Sequence, residues 1–214
     1  MTITPQQFHE SEGVDDWRVL WQFACTHFET GSFAKGLELV NAIGELAEAV
    51  NHHPDVDLRY PGVTVRLTSH DVGSLSQRDV DLARKISNVA RDLEITADPG
   101  AVRMPQVTID AMDIDAVRPF WQAVLGYVDR GPEDLEDPMG HGPPIWFQEM
   151  DASRPERNRI HIDVPVAPDQ ARARVEAAIA AGGRLVTDAH APAWWVVADP
   201  EGNEACIATW QGRE

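Results

Sequence analysis

The sequence predicts an α+β protein of two domains: an N-terminal antiparallel sheet with two helices packed on one face, then a domain built from a duplicated unit. In the first half, two amphipathic helical stripes are separated by a segment of alternating polarity. A stretch rich in proline and glycine, residues 96–106, follows the second stripe and precedes a new strand. After it, a strand–helix–strand pattern occurs twice. We therefore predict domains at residues 1–98 and 106–214, joined by a linker at residues 99–105.

The first half contains the following predicted elements. Residues 17–28 are rich in aromatic and β-branched side chains and predict strands. Residues 33–50 carry apolar side chains at helical spacing, and residues 63–68 alternate as a half-buried strand does. A second amphipathic stripe predicts a helix at residues 76–93.

The second half is predicted to be doubled. Its first unit has a strand at 107–112, a helix at 114–125 and strand material at 145–150. Its second unit has a strand at 159–164 and a helix at 169–181, followed by strands near Leu185, at 194–198 and at 204–210. Two such units of roughly 50 residues each indicate an internal duplication.

Composition limits the classes of partner. The 214 residues include 18 Lys and Arg against 35 Asp and Glu, a formal charge of −17 that repels nucleic-acid backbones and anionic lipids. No apolar run approaches the roughly 20 residues of a membrane span, and the first residues do not form a signal peptide. The two cysteines, Cys25 and Cys206, form no metal or redox motif. We expect a cytoplasmic protein without nucleic-acid or membrane partners.

Three histidines form a notable arrangement. His52 and His53 directly follow the first long helix and are stopped by Pro54, while His70 ends the strand at 63–68. Adjacent side chains on a turn point in different directions, and His70 returns to the same sheet edge if its strand pairs as a neighbour. Such a cluster can transfer protons near neutral pH. It can also bind zinc, although the spacing is not that of common zinc sets. A third possibility is that these are helix-terminal and loop histidines without chemistry.

The residues around these histidines carry a family resemblance. The segments Glu48-x3-His52-His53-Pro54, Ser69-His70 and Leu75-Ser76-x-x-Asp79 resemble the pterin-4a-carbinolamine dehydratase family over about residues 13–95. The family commonly has an aromatic residue shortly after the two histidines and proline, where this chain has Val56. The resemblance implies the following site residues: His52, His53 and His70 as catalytic histidines, and Glu48, Pro54, Asp79 and Trp17 as binding or supporting residues.

The resemblance implies a hydro-lyase that dehydrates a 4a-hydroxytetrahydropterin during recycling of a pterin cofactor. We expect His52 and His70 to share the acid and base roles and His53 to orient the pterin. The pterin is then a substrate and no cofactor is needed, and the protein is expected to be a homo-oligomer, either a dimer or a tetramer. For Asp79 a purely structural role also stays open, because Ser76 and Asp79 have the spacing of a capping box. Glu48 can equally belong to a solvated helix face.

The second half resembles the glyoxalase/bleomycin-resistance (vicinal oxygen chelate) family over about residues 106–212, which implies a duplicated βαβββ domain. The resemblance rests on short motifs in a consistent order, namely Phe120-Trp121, Leu125-Gly126-Tyr127, Arg159-Ile-His161-Ile-Asp163-Val and residues 199–203. The pocket residues it implies are His161, Trp146, Gln106 and Cys206.

The expected pocket has few metal donors. Metal-using members place His or Glu on strands facing the cleft, whereas Gln106 and Cys206 occupy two of those positions here and His161 occupies a third. Glu149 could add a further donor. We therefore expect the second half to bind a small organic ligand without a divalent metal. Two rival functions stay open: lyase or dioxygenase chemistry in this cleft, and a protein that only binds or sequesters small molecules.

Overall fold

The computed structural model of the chain describes residues 1–115, 118, 127–152, 160–180, 183–198 and 204–213. The chain divides into two compact units, Met1–Val102 and Arg103–Glu214. The division falls inside the segment 99–105 that the sequence predicts as a linker. No helix among the described residues is long and apolar enough to cross a membrane.

The first unit is an antiparallel sheet with helices, as predicted. Its strands follow the order β1-β2-β4-β3, and a short β5 also pairs with β2. The strands are β1 Arg18–Leu20, β2 Phe23–Glu29, β3 Asp55–Arg59, β4 Gly62–Leu67 and β5 Thr96–Ala97. The helices are α1 Pro5–His9, α2 Phe33–Val50 and α3 Gln77–Asp92. Strands β3 and β5 and helix α1 were not predicted.

Helix α2 begins and ends at identifiable caps. Ser32 Oγ accepts a hydrogen bond from the Lys35 amide at 3.2 Å and starts the helix. At the other end Asn51 adopts a left-handed conformation with φ of 48°, which stops the helix and turns the chain sharply. Gly36 lets α2 lie close to the sheet, because a Cβ there would come within 2.5 Å of Leu58. His52 and His53 therefore directly follow a helix that packs closely against the sheet.

The second unit has the duplicated topology that the sequence predicts. Its described strands form one sheet in the order β11-β12-β13-β10-β6-β9-β8-β7. In each half the first strand lies parallel to the last, β6 to β9 and β10 to β13, and β6 and β10 pair antiparallel at the centre. The strands are β6 Gln106–Ala111, β7 Val128–Asp129, β8 Asp134–Glu136, β9 Ile145–Glu149, β10 Ile160–Pro165, β11 Arg184–Thr187, β12 Trp194–Ala198 and β13 Glu204–Ala208.

Helix α4, Pro168–Ala180, belongs to the second half of this duplication, between β10 and β11. Most of the helix predicted at 114–125, including Phe120 and Trp121, lies outside the described residues. The same holds for Arg159 and for residues 199–203. The resemblance drawn from these motifs therefore has no described structure to compare with.

The two faces of the second sheet differ in chemistry. One face is apolar: Ile109, Ile145 and Phe147 form a core cluster with Leu135, and Val175 of α4 packs with Val197 and Ile207 in another. Residues one position away along the central strands face the opposite side, because side chains alternate along a strand. That opposite face carries the polar residues described below.

Candidate active site

The antiparallel pairing of β3 and β4 brings the predicted histidine positions to one end of the first sheet. Asp55 at the start of β3 pairs with Arg66 near the end of β4. His52 and His53 lie just before the first of these residues, and His70 lies shortly after the second. The structure therefore places the two histidine segments at the same end of the sheet.

A buried carboxylate joins the two segments. Asp79 Oδ1 lies 2.8 Å from His52 Nε2, and both side chains are buried. The other oxygen, Oδ2, accepts hydrogen bonds from Ser69 Oγ and from the Ser76 backbone amide, each at 2.7 Å. Ser69 Oγ also lies 2.7 Å from Ser76 Oγ. We call His52, Asp79, Ser69 and Ser76 the Asp79 network.

Asp79 therefore has both of the roles that the sequence left open. It completes the capping box of α3 through the Ser76 amide, and it binds His52 through its other oxygen. Because a carboxylate only accepts hydrogen bonds, Nε2 of the imidazole carries the hydrogen and Nδ1 is left as the proton acceptor. The helix cap thus fixes both the position and the tautomer of His52.

The other two histidines are exposed. His53 Nε2 lies 3.1 Å from Glu48 Oε1, and both side chains are largely open to solvent. His70 is exposed in the turn that follows β4, directly after the buried Ser69. A buried imidazole, two exposed imidazoles and a proline therefore share this end of the sheet, with the half-buried Pro54 next to His53.

An ion pair lies beside His70. The Arg78 guanidinium contacts Asp71 Oδ1, and this hydrogen bond holds the pKa of Asp71 below its ordinary value. Arg78 belongs to the first turn of α3, and its backbone amide also donates to Ser76 Oγ at 3.2 Å. The turn that carries His70 is thus tied to the same helix terminus as the Asp79 network.

Trp17 lies in the core. Its side chain is fully buried, with the ring edge-on to Phe28 at a centroid distance of 6.5 Å. Its indole N–H donates to Ser87 Oγ at 3.0 Å. Ser87 follows Asp79 by about two helical turns on α3. In this structure Trp17 fixes the helix that carries Asp79 and has no exposed surface.

The sequence motifs identify neither Ser69 nor Ser76 as a site residue, and they give Ser76 only a possible capping-box role with Asp79. The available signal was their position in the sequence. Ser69 directly precedes His70, and Ser76 directly precedes the helix that carries Asp79. A serine at a strand end or a helix start is common for structural reasons. Their hydrogen bonds to one carboxylate could be seen only in three dimensions.

The second unit has a group of polar side chains on the face opposite its core clusters. Asp163 pairs with Gln106 on one side and with Cys206 on the other, and His161 pairs with Thr108. Cross-strand partners share a face, so all of these side chains point to one side. Asp110 belongs to the same row, two residues beyond Thr108. We call these six residues the polar face.

Five atoms of the polar face are buried without a hydrogen-bond partner among the described residues. They are Gln106 Oε1, Thr108 Oγ1, Asp110 Oδ1, His161 Nε2 and Asp163 Oδ1. Leaving a buried polar group unpaired costs about 1–3 kcal/mol. Natural proteins seldom keep several such atoms together unless a ligand, ion or water satisfies them. The polar face therefore has the character of a binding surface.

Among the described residues, His161, Asp163 and Cys206 are grouped as possible metal ligands, with one donor atom from each lying within 4.8 Å of the others. The sequence motifs identify His161 as a donor but do not identify Asp163 as one. The missed signal was the spacing of the two residues, since positions i and i+2 of a strand share a face. Glu149 pairs with Ala111 and so lies on the opposite face, away from His161.

Burial raises the pKa of the Asp163 carboxyl above its ordinary value, and the charge of His161 opposes part of that rise. Burial also raises the pKa of the Cys206 thiol, and the nearby Asp163 carboxylate adds to the effect.

Aromatic side chains border this face. Trp146 pairs with Thr108 and lies half-buried on the same side of the sheet, with its indole N–H 3.3 Å from Glu133 Oε2. Trp194 stacks on His190 at a centroid distance of 4.3 Å, and the Arg213 guanidinium lies 5.6 Å from the Trp194 ring. Flat apolar surfaces and a cation beside a polar row are typical of a small-molecule site.

Comparison with known proteins gives a class to each unit. The family model for pterin 4 alpha carbinolamine dehydratase matches residues 2–89, and the model described as a glyoxalase-like domain matches residues 106–208. Through its N-terminal unit the chain belongs to the pterin-4-alpha-carbinolamine dehydratase family. Its second unit matches the family model described as a glyoxalase-like domain.

Similar proteins match the first unit. A protein of Cyanothece sp. named "Putative pterin-4-alpha-carbinolamine dehydratase" is 42% identical over 76 residues, which are 36% of this chain and 78% of that protein. A protein of the same name from Acidobacterium capsulatum is 45% identical over 85 residues, or 39% of this chain and 92% of that one. A solved structure of a transcriptional coactivator/pterin dehydratase from Brucella melitensis is 22% identical, with a TM-score of 0.40, and the match covers 42% of this chain and 99% of that chain.

Proposed function

We propose that the first unit dehydrates a 4a-hydroxytetrahydropterin to the quinonoid dihydropterin. The observation that carries the proposal is the Asp79 network, which holds His52 with a defined tautomer beside two exposed histidines. The membership of this unit in the dehydratase family supports the same substrate class.

The reaction needs two proton transfers at neighbouring atoms. A base takes the proton from N5 while the C4a–O bond breaks with its electrons on oxygen. An acid protonates that oxygen, water leaves, and a double bond forms between C4a and N5. One proton is taken and one is supplied, so the enzyme returns to its starting charge.

His52 and His70 are the proposed acid and base pair. The proposed proton acceptor of His52 is Nδ1, because Asp79 holds the other ring nitrogen. His70 is exposed and can exchange its proton with solvent between turnovers. His53, half-exposed beside Glu48, is the proposed pterin-orienting residue. Each positioned proton transfer contributes about 10²–10⁴-fold to the rate.

The test is the rate at which the quinonoid dihydropterin forms from a freshly generated carbinolamine, followed by stopped-flow absorbance. We expect the full-length chain to accelerate its formation well above the rate in buffer alone. No acceleration at any protein concentration would overturn the proposal.

For the second unit we propose a small-molecule-binding role. The unpartnered atoms of the polar face, together with the tryptophans beside it, support this proposal. Equilibrium dialysis against candidate organic ligands tests it, and binding that is weakened by replacing His161 is the expected result.

A further inference from the structure

Most of the buried atoms of the polar face that have no partner among the described residues are hydrogen-bond acceptors. Gln106 Oε1, Asp110 Oδ1 and Asp163 Oδ1 are amide or carboxylate oxygens, which accept hydrogen bonds and, in an ionised acid, do not donate them. Thr108 Oγ1 and His161 Nε2 can take either role. Gln106, Thr108 and Asp163 are each more than nine-tenths buried. The partner that suits this face is therefore one that donates several hydrogen bonds.

These atoms are spread along a line. Gln106, Thr108 and Asp110 are alternate residues of β6, so the first and the last lie about 13 Å apart at roughly 3.3 Å per residue. Asp163 and His161 stand beside the first two of them on β10. A single ion or water molecule reaches only part of such a line. An extended ligand with donors along one edge reaches more of it.

A flat aromatic surface lies next to this line. Trp146 is the cross-strand partner of Thr108 and points to the same side of the sheet. Its indole N–H lies 3.3 Å from Glu133 Oε2, a contact that limits rotation of the ring. The Trp146 side chain is only half-buried, whereas Trp194 already stacks on His190. A planar ligand that stacks on Trp146 can direct one edge toward Thr108 and its neighbours.

Charge narrows the class of ligand further. The chain has a formal charge of −17, and this face carries both Asp110 and Asp163, so phosphate esters and other anions are disfavoured. Burial raises the pKa of the Asp163 carboxyl, and hydrogen bonds donated to a carboxylate act in the opposite direction. A neutral or cationic ligand that donates to Asp163 therefore stabilises the ionised acid and is stabilised by it.

We propose that the polar face binds the 2-amino-4-oxopyrimidine edge of a pterin, with Asp163 as the main acceptor and Trp146 as the stacking surface. The ring N3–H and the 2-amino group are adjacent donors on one edge, and a carboxylate accepts such a pair as it does the fork of a guanidinium. The amino group has a second hydrogen, and Gln106 Oε1 is the acceptor next to Asp163 on the neighbouring strand.

Guanine carries the same edge, so this chemistry also suits a guanine nucleoside. The first unit favours the pterin, because that unit belongs to the dehydratase family and its proposed product is a pterin. The inference rests on the proposed small-molecule-binding role of the second unit and deepens it by naming the ligand class. It requires no divalent metal, in agreement with the expectation from the sequence.

Equilibrium dialysis of the full-length chain with the stable aromatic pterin, 2-amino-4-oxopteridine, tests the proposal. Binding is measured in wild type and in His53→Ala, because His53 is the proposed pterin-orienting residue of the first unit. We expect one pterin per chain to remain bound in His53→Ala. In that background Asp163→Leu should weaken the binding at least about 10-fold, because leucine has a similar shape but accepts no hydrogen bond.

Glu149 offers the matched control, since it is a carboxylate of the same sheet on the opposite face. Glu149→Gln should leave the affinity for pterin unchanged. Trp146→Leu should weaken it at least about 5-fold, the low end of the usual contribution of a base stacked on an aromatic ring.

A ligand analogue tests the donor edge directly. Lumazine has a carbonyl oxygen in place of the 2-amino group and so turns an acceptor toward the acceptors of the polar face. It should bind at least about 10-fold more weakly than pterin, because unpaired polar groups are then left buried. Guanosine, which keeps the amino group but differs in its second ring, should also bind more weakly than pterin.

The proposal is overturned if His53→Ala binds no pterin, if folded Asp163→Leu binds pterin as tightly as its parent, or if lumazine binds as tightly as pterin. Tighter binding of guanosine would equally overturn the assignment to a pterin. If circular dichroism shows that Asp163→Leu does not fold, Trp146→Leu and the lumazine comparison decide the matter. Dehydration is measured separately by stopped-flow absorbance, so a failure in one unit is distinguished from a failure in the other.

Discussion

The two units each bury an aspartate beside a histidine, but they treat it differently. In the first unit Asp79 accepts three hydrogen bonds, from His52, Ser69 and the Ser76 amide. In the second unit Asp163 Oδ1, Asp110 Oδ1 and His161 Nε2 have no hydrogen-bond partner among the described residues. The first arrangement is complete within the protein, as suits a preorganised proton-transfer site. In the second arrangement, the buried polar atoms gain hydrogen-bond partners only when a ligand, ion or water binds.

The largest expected effect comes from removing the proposed proton-transfer groups. His52→Ala and His70→Ala should each lower the dehydration rate by at least about 10²-fold, the usual contribution of general acid–base catalysis. Stopped-flow rates measure this, with circular dichroism to confirm the fold. Full activity in both folded variants would contradict the assignment.

Asp79→Asn should lower kcat by about 10-fold or more, because an amide can hold the His52 imidazole in the wrong tautomer. It should also reduce the free energy of unfolding by about 1–3 kcal/mol, since a satisfied buried group is disturbed. Ser32→Ala is the matched control. It removes a helix N-cap of α2 outside the Asp79 network and should cost about 1 kcal/mol while leaving kcat intact. An equal loss of kcat in both variants would mean that Asp79 acts only on stability.

The corresponding aspartate-to-asparagine substitution in the second unit should change the free energy of unfolding in the opposite direction. Asp163→Asn should raise the free energy of unfolding by about 1 kcal/mol, because an amide costs less to bury than an unsatisfied carboxylate. Thermal unfolding in the absence of added ligand measures the change. A loss of stability like that of Asp79→Asn would show that the polar face is already satisfied internally.

The smallest expected effect concerns Trp17. Trp17→Phe keeps a buried ring but removes the hydrogen bond to Ser87, so it should cost about 1 kcal/mol of stability. The KM of this variant for the pterin should stay unchanged, because the Trp17 ring has no exposed surface in this structure. A raised KM with unchanged stability would instead support the pterin-lining role that the family resemblance implies.

Much of the fold follows from local sequence signals. Helix α2 has the predicted bounds, because its apolar stripe and the Ser32 cap agree. Strand β3 was missed, because only Val56 and Leu58 are apolar in a five-residue strand at the sheet edge. The doubled topology of the second unit could be predicted because strand and helix periods alternate twice.

The sites were less predictable than the fold. The three histidines could be named from their motif, but the joining of His52 to Ser69 through Asp79 depends on how β3 and β4 pair. Asp163 does not stand at a position that the family motif marks as a donor, and only its strand face shows that it points to the same side as His161. The sequence shows which residues are present, and the pairing of strands decides which of them meet.

The central claim is that the Asp79 network serves proton transfer in the first unit. The dependence of kcat/KM for dehydration on pH tests it most directly. One imidazole must be protonated while its partner is neutral, so the rate should rise and then fall across neutral pH, where histidines titrate. A rate for the chemical step that stays flat from about pH 5 to about pH 9 would mean that the histidines only bind the pterin, and it would contradict this account.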